Sequence, residues 1–166
     1  MRLPLALVGA LGGCVASADL AAIQQPTLTP RGVSGAGHLA IGGGGMSTSD
    51  WLLGIGMDTR IDAASGDNSR WAAGASALGG VKIVPKFFLT GRIGIWKAIV
   101  SSAPEATAVP SFELGGYIPL AEKYDPKNPK YGSSSTGIVL GVREDLDDRN
   151  YFSVFVGYAL FILPGY

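Results

Sequence analysis

The chain has 166 residues, an ordinary length for one domain. Only 16% of them are charged, against roughly 25% in a soluble domain, and the mean hydropathy is positive, so we expect part of the surface to face something other than water. The 13 basic residues balance the 13 acidic ones, and the 25 glycines follow no Gly-X-Y period, which excludes the basic surface of a nucleic-acid binder and a collagen helix.

The first eighteen residues have the pattern of an export signal. Arg2 supplies a positive charge, and residues 3–13 form an apolar stretch too short to cross a bilayer as a helix. Two processing sites compete. Residues 11–14 resemble a lipobox, which would make Cys14 the lipidated first residue of the mature protein, and residues 16–18 have the small-x-small form of a signal-peptidase site. We favour the lipobox; in the alternative, Cys14 is discarded with the signal.

Residues 19–32 are mixed in character and contain prolines, which predicts a tether. After it the alternation of the sequence has a period of two, as in residues 51–62, where Trp51, Leu53 and Ile55 alternate with smaller or polar residues. The same period predicts strands at residues 71–84, 87–100, 109–121, 132–144 and 151–163, and a weaker one at residues 33–44. Seven strands are therefore predicted, and an eighth would lie in the tether or in a bend.

Strand length and connections favour a barrel. Each predicted strand has about ten or more residues, close to the ~9 to 11 that cross a bilayer at a tilt. The segments between strands suit hairpins, helical periodicity is not sustained after the signal, and no other segment has 18 consecutive apolar residues. We predict an all-β fold, a single small antiparallel up-and-down barrel of seven or eight strands over residues 33–166.

The two faces of the predicted strands differ in chemistry. One face carries large apolar residues, such as Phe112, Leu140 and Val154, whereas the other carries glycine, serine, alanine and most of the charges. A soluble lipocalin-type barrel would have its apolar residues inside. We instead predict a narrow polar interior, filled by side chains and balanced by a structural network of charges. The predicted network consists of Asp58, Arg60, Asp62, Lys82, Arg92, Glu113 and Arg143, with Ser34, His38 and Tyr117 as further polar interior residues.

Aromatic residues near the strand ends indicate a membrane interface; they are Trp51, Trp71, Phe87, Tyr151 and Phe152. The last strand has Tyr158, Leu160, Ile162 and Tyr166 at alternate positions. In this it resembles the small bacterial outer-membrane β-barrels, the class typified by the OmpA transmembrane domain, although Pro164 departs from the pattern. The resemblance covers residues 33–166 and implies an outer-membrane location, with the lipid bilayer and the barrel-assembly machinery as partners.

His38 is the only histidine, and the residues around it do not form a catalytic motif. Outer-membrane lipid A deacylases use a His-x-Ser-Asn element, but here Leu39 and Ala40 follow His38. One histidine and one cysteine leave no metal cage. Asp145, Asp147 and Asp148 predict a solvated hairpin and not a calcium loop. We expect no enzymatic activity, no cofactor and no metal.

The sequence therefore predicts an outer-membrane barrel protein or lipoprotein of structural or envelope-interaction type. Its loops at residues 101–108 and 123–130 would contact an envelope or surface protein. Two other functions stay open at this point. A periplasmic lipocalin-like lipoprotein would bind an apolar small molecule and requires the apolar face to point inward. A narrow channel or transporter requires the interior charges to form a continuous wet path.

Overall fold

The computed structural model describes residues 13–24, 33–46, 51–63, 70–101, 108–124, 133–146 and 151–163. Eight antiparallel strands in these ranges form a closed barrel, in which each strand pairs with its neighbours in sequence and the first pairs with the last. This confirms the predicted all-β, up-and-down barrel. The strands are β1 (Cys14–Gln24), β2 (Val33–Met46), β3 (Trp51–Ala63), β4 (Arg70–Val84), β5 (Phe87–Ser101), β6 (Val109–Tyr124), β7 (Ser133–Asp145) and β8 (Tyr151–Leu163).

Strand β1 shows that the predicted domain boundaries are wrong. We predicted a tether at residues 19–32 and a barrel from residue 33, but Cys14–Gln24 pairs along its whole length with both β2 and β8. Alanine occurs on both faces of β1, so its hydropathy shows little alternation. The rest of the predicted tether, residues 25–32, and the first twelve residues of the predicted signal lie outside the described residues.

The seven strands that the alternation predicted are all present as β2 to β8, with bounds that differ by up to three residues. The largest extension is in β6, which continues to Tyr124 because residues 121–124 pair with the start of β7. Strands β4 and β5 are joined by Pro85 and Lys86 alone. The ring of Pro85 restricts its own φ, and Lys86 has a φ of 63° in the left-handed region.

Strands β2 and β3 approach each other closely where Gly42 lies opposite Gly56. A Cβ atom on Gly42 would overlap the backbone carbonyl of Ile55, and one on Gly56 would lie 2.6 Å from the carbonyl oxygen of Ile41. Side chains are therefore excluded from this part of the inner wall. Glycines at such positions allow the strong curvature that a small barrel requires.

The up-and-down topology fixes which connections share an end of the barrel. We call the end with Cys14, Leu163 and the β4–β5 turn the lower end, and the opposite end the upper end. The β5–β6 connection lies at the upper end, and the β6–β7 connection lies at the lower end. The strand ends that flank the predicted contact loops at residues 101–108 and 123–130 therefore lie at opposite ends of the barrel, and contact of these loops with an envelope or surface protein stays a prediction.

The outward face of the wall is apolar. Large hydrophobic side chains are exposed on every strand from β1 to β8, among them Leu20, Met57, Ile95, Leu120 and Val156. The inward face holds the buried residues, including eight charged side chains that are each at most 8% exposed. Within the described ranges, no helix is long and apolar enough to cross a membrane.

Candidate functional site

The interior of the barrel is divided into an apolar half and a charged half. Near the lower end, an apolar cluster fills the interior; it consists of Val15, Leu52, Phe88, Tyr117, Ala159 and Phe161. The ring of Tyr117 meets that of Phe161 edge-on, with centroids 5.0 Å apart. The hydroxyl of Tyr117 lies 2.6 Å from that of Ser135, so this buried polar group is hydrogen-bonded.

The middle of the interior holds a central charged group, which consists of Asp19, His38, Asp58, Arg92, Glu113 and Arg143. Strand register brings these residues together, because Asp19 pairs with His38 and Glu113 pairs with both Arg92 and Arg143. Arg143 is the centre of this group. Its Nη2 lies 2.9 Å from Asp19 Oδ2 and 2.9 Å from Glu113 Oε2, and its guanidinium carbon lies 4.8 Å from the ring centroid of Phe155.

His38 links the two arginines of the central group. Its Nδ1 lies 2.6 Å from Asp19 Oδ2, and its Nε2 lies 3.3 Å from Arg92 Nη1. A guanidinium can only donate, so the tautomer with its proton on Nδ1 satisfies both contacts: His38 donates to Asp19 and accepts from Arg92. The ring also packs edge-on against Trp96. The structure thus places His38 in a network of charges.

Closer to the upper end, an upper charged group joins Arg60 and Arg70 to Asp62 and Asp145. Arg60 Nε lies 2.6 Å from Asp62 Oδ1, and Arg60 Nη1 lies 2.7 Å from Asp145 Oδ2. Arg70 Nη2 lies 2.8 Å from Asp62 Oδ2 and 2.9 Å from Asp145 Oδ2. Two guanidiniums and two carboxylates therefore form a ring of neutral total charge. Such mutual pairing offsets part of the desolvation cost of burying them.

The predicted solvated hairpin is wrong for Asp145. This residue ends β7 and is only 1% exposed, because its side chain points inward to Arg60 and Arg70. Asp147 and Asp148, the other members of the predicted acidic turn, lie outside the described residues. Within the described strands, no three histidine, cysteine, aspartate or glutamate side chains are arranged to hold a metal ion.

Six of the seven predicted network residues lie in the two charged groups, and Lys82 does not. Its Nζ lies 5.8 Å from the ring centroid of Phe88, at the lower end of β4 and far along the strand from Arg70. Sequence reasoning missed Asp19, Arg70 and Asp145. The alternation of the sequence could have identified two of them. Arg70 is two residues before the inward Ala72, and Asp145 is two residues after the inward Arg143, so each lies on the inward face of its strand.

The other predicted site residues are distributed over the wall. Cys14 is exposed at the first position of β1. On β8, Tyr158 and Ile162 are exposed on the outward face and Leu160 is half-buried. The side chain of Ser34 and all of Tyr166 lie outside the described residues.

Comparisons with known proteins add little to this description. No protein-family model and no curated protein matches the chain. A solved structure described as "De novo design of transmembrane beta-barrels" is similar over 90% of this chain and 95% of that chain, with 13% sequence identity and a TM-score of 0.49. The assignment of the barrel rests on the strand pairing, and the function must be argued from the chain itself.

Proposed function

We propose that this chain is a β-barrel protein of the bacterial outer membrane, with a structural or envelope-interaction role and no catalytic one. The observation that carries the proposal is the polarity of the wall. On β3, the outward Ile55, Met57 and Ile61 are 54%, 75% and 60% exposed, whereas the inward Asp58 and Arg60 are 3% and 2% exposed. A continuous apolar surface of this kind is unfavourable in water and matches the hydrocarbon layer of a membrane.

Polar and aromatic groups on the outward face support the same proposal. Trp71 Nε1 donates a hydrogen bond to Thr59 Oγ1 at 2.8 Å, so both outward polar groups are satisfied within the wall, as lipid requires. Trp71, Phe112 and Phe152 are exposed towards the upper end of the barrel. Aromatic rings at the ends of strands are typical of membrane interfaces.

The interior disfavours the two alternative functions. A lipocalin-like barrel needs an apolar inner surface with room for a ligand, but here the inward face of the upper half carries two charged groups. A channel needs a continuous wet path. The apolar cluster interrupts such a path near the lower end, where Leu52, Phe88 and Tyr117 are each at most 1% exposed. We therefore expect the protein to give no stable conductance in a planar bilayer.

Cleavage before Cys14 fits the barrel better than cleavage after Ala18. A signal-peptidase cut after Ala18 would remove five residues of β1, including Val15 of the apolar cluster and Ser17, whose hydroxyl accepts a hydrogen bond from Arg92 at 3.1 Å. A lipoprotein cut leaves β1 whole. Because Cys14 is exposed at the lower end of the outward-facing wall, its acyl chains would enter the same lipid layer that surrounds the barrel.

Membrane fractionation of the expressed full-length chain tests the proposed location. We expect recovery in the outer-membrane fraction and a gel mobility that changes on heating, because a closed barrel resists detergent until it is boiled. Recovery as a soluble periplasmic protein would contradict the proposal. Conductance measurements on the purified protein then test the role, since stable single-channel steps would favour a channel.

Acyl labelling with mass spectrometry of the mature N-terminus tests the lipid anchor separately. We expect label on the wild-type chain and none on Cys14→Ala. A mature protein that begins at Asp19 would show that the lipobox interpretation is wrong, without affecting the proposed membrane location.

A further inference from the structure

One charge of the central group is not fully satisfied by its protein neighbours. Asp58 is 3% exposed, and neither of its carboxylate oxygens accepts a hydrogen bond. Two nitrogen atoms lie near its Oδ1: His38 Nε2 at 3.6 Å and Arg92 Nη1 at 3.7 Å. The guanidinium attracts the carboxylate, but both distances are too long for hydrogen bonds, and His38 Nε2 carries no proton in the tautomer described above. Asp58 thus has two buried acceptor atoms with unused hydrogen-bonding capacity.

Arg92 has the complementary deficit. Its Nη2 donates to Ser17, but its buried Nε donates to no acceptor, and the closest carboxylate oxygen, Glu113 Oε1, is 3.8 Å away. A buried donor and two buried acceptors therefore occur on neighbouring side chains. Native proteins rarely leave such atoms unsatisfied, and ordered water is a common partner for them.

A cavity of about 20 Å³ adjoins both side chains. Asp58, Arg92 and Ser76 are the polar residues of its lining. The rest of the lining is apolar: Gly42, Gly54 and Gly56, which have no side chains to occupy the space, with Val15, Ala40, Ile41, Ile55 and Leu78. One water molecule needs roughly 10 to 15 Å³ of such volume. The cavity therefore has room for a single water, and both residues with unpartnered atoms belong to its lining.

The polar groups of the cavity lining determine which ligand fits the cavity. An ion such as sodium would need several oxygen ligands and would be repelled by the Arg92 guanidinium. An apolar ligand would leave the donor and the acceptors unsatisfied. A water molecule can accept from Arg92 Nε, donate to Asp58, and use the Ser76 hydroxyl as a third partner. We propose that one fixed water molecule binds between Asp58, Arg92 and Ser76. This site depends on the interior alone and holds whether or not the proposed membrane location is correct.

Water contacts measured by NMR on the full-length chain, folded in lipid nanodiscs, test the proposal. We expect a cross peak between water and the Arg92 Nε proton, with the opposite signs in NOE and ROE spectra that mark a bound molecule. Arg60 Nε is the internal control, because it donates directly to Asp62 at 2.6 Å and should show no such peak. Absence of the Arg92 peak would overturn the proposal, as would a shift of the Arg92 signal when sodium replaces choline, which would indicate a bound cation.

Two variants identify the source of the peak. Ser76→Ala removes one of the three partners of the water, so we expect a weaker peak, and a peak of unchanged intensity would overturn the placement of the water beside Ser76. Gly54→Ala adds a methyl group to the cavity lining, with its Cβ 3.3 Å from Val15 Cγ2, and we expect loss of the peak with unchanged gel mobility. Gly79→Ala is the matched control, because Gly79 does not line the cavity and its Cβ would meet only Leu53 at 3.8 Å. A peak of unchanged intensity in Gly54→Ala would place the water elsewhere and overturn the proposal.

Discussion

The two faces of β3 differ in chemistry over the same thirteen residues. Its outward side carries Ile55, Met57 and Ile61, and its inward side carries Asp58, Arg60 and Asp62. Each inward charge has an oppositely charged residue within 4 Å, from its own or another strand. On β3, charges therefore occur on the inward side, where a partner from the same strand or from another strand lies close. We therefore expect an inward arginine to stabilise the barrel and an arginine introduced on the outward side to destabilise it.

The largest effect is expected when an inward charge is removed from its partners. Arg143→Met leaves Asp19 and Glu113 without their shared guanidinium, and breaking a buried pair in this way costs about 3 to 5 kcal/mol. Urea unfolding in lipid vesicles measures the change. Arg143→Lys keeps the charge but has no planar fork to serve both carboxylates, so it should recover only part of the loss. Full stability of Arg143→Met would show that the central group is not held by this residue.

Placing a charge on the outward side should cost somewhat less. Ile55→Arg puts a guanidinium into the apolar face, and we expect a loss of about 2 to 4 kcal/mol if this position lies near the middle of a bilayer. Leu140→Arg should behave in the same way. The matched control is Leu146→Arg, at an exposed position just after β7, where the expected cost is about 0 to 1 kcal/mol. Equal, small effects at all three positions would contradict the membrane proposal.

A third change acts on the shape of the wall. Gly42→Ala places a Cβ atom against the carbonyl of Ile55, so the two strands must separate, and overpacking of this kind costs about 1 to 3 kcal/mol. Gly35→Ala is the control, because its Cβ would meet nothing within 4 Å. If the two alanine variants unfold at the same urea concentration, the close approach of β2 and β3 is not required.

The smallest effect belongs to a neutral hydrogen bond of the apolar half. Tyr117→Phe removes the hydroxyl that pairs with Ser135, and a single such bond contributes about 0.5 to 1.5 kcal/mol. Tyr158→Phe, on the exposed outward face, should change stability less in the same unfolding assay. A loss at Tyr117 as large as that of Arg143→Met would mean that the two halves of the interior do not differ as proposed.

Most of the barrel was predictable because one simple pattern covers most of it. In β3, β6 and β7 most outward residues are large and apolar while most inward ones are small or polar, so a period of two separates the faces clearly. Strand β1 was not predicted because alanines lie on both of its faces and because its first residues overlap the predicted export signal. Local pattern carries no information when both faces use the same residue types.

The charged groups were predictable only in part, because pairing across the barrel depends on register. Parity places Arg92 and Arg143 inside, but which carboxylates they meet follows from the closure of the barrel, which brings Asp19 to Arg143 across 124 residues of sequence. Asp145 was misassigned because its neighbours Asp147 and Asp148 suggested a solvated turn. Lys82 was wrongly grouped because parity gives the face of a residue but not its height along the barrel axis.

The pairing of β1 with β8 also has a consequence for how the protein reaches its final state. Cys14 lies opposite Ile162, so contacts between the beginning and the end of the barrel sequence close the barrel. Such contacts require closure of a very long loop, and this slows folding. Until the final strand is in place, β1 and β7 each have an open edge whose backbone groups lack partners. Incomplete chains are therefore the species most prone to aggregation, and closure is the step at which that risk ends.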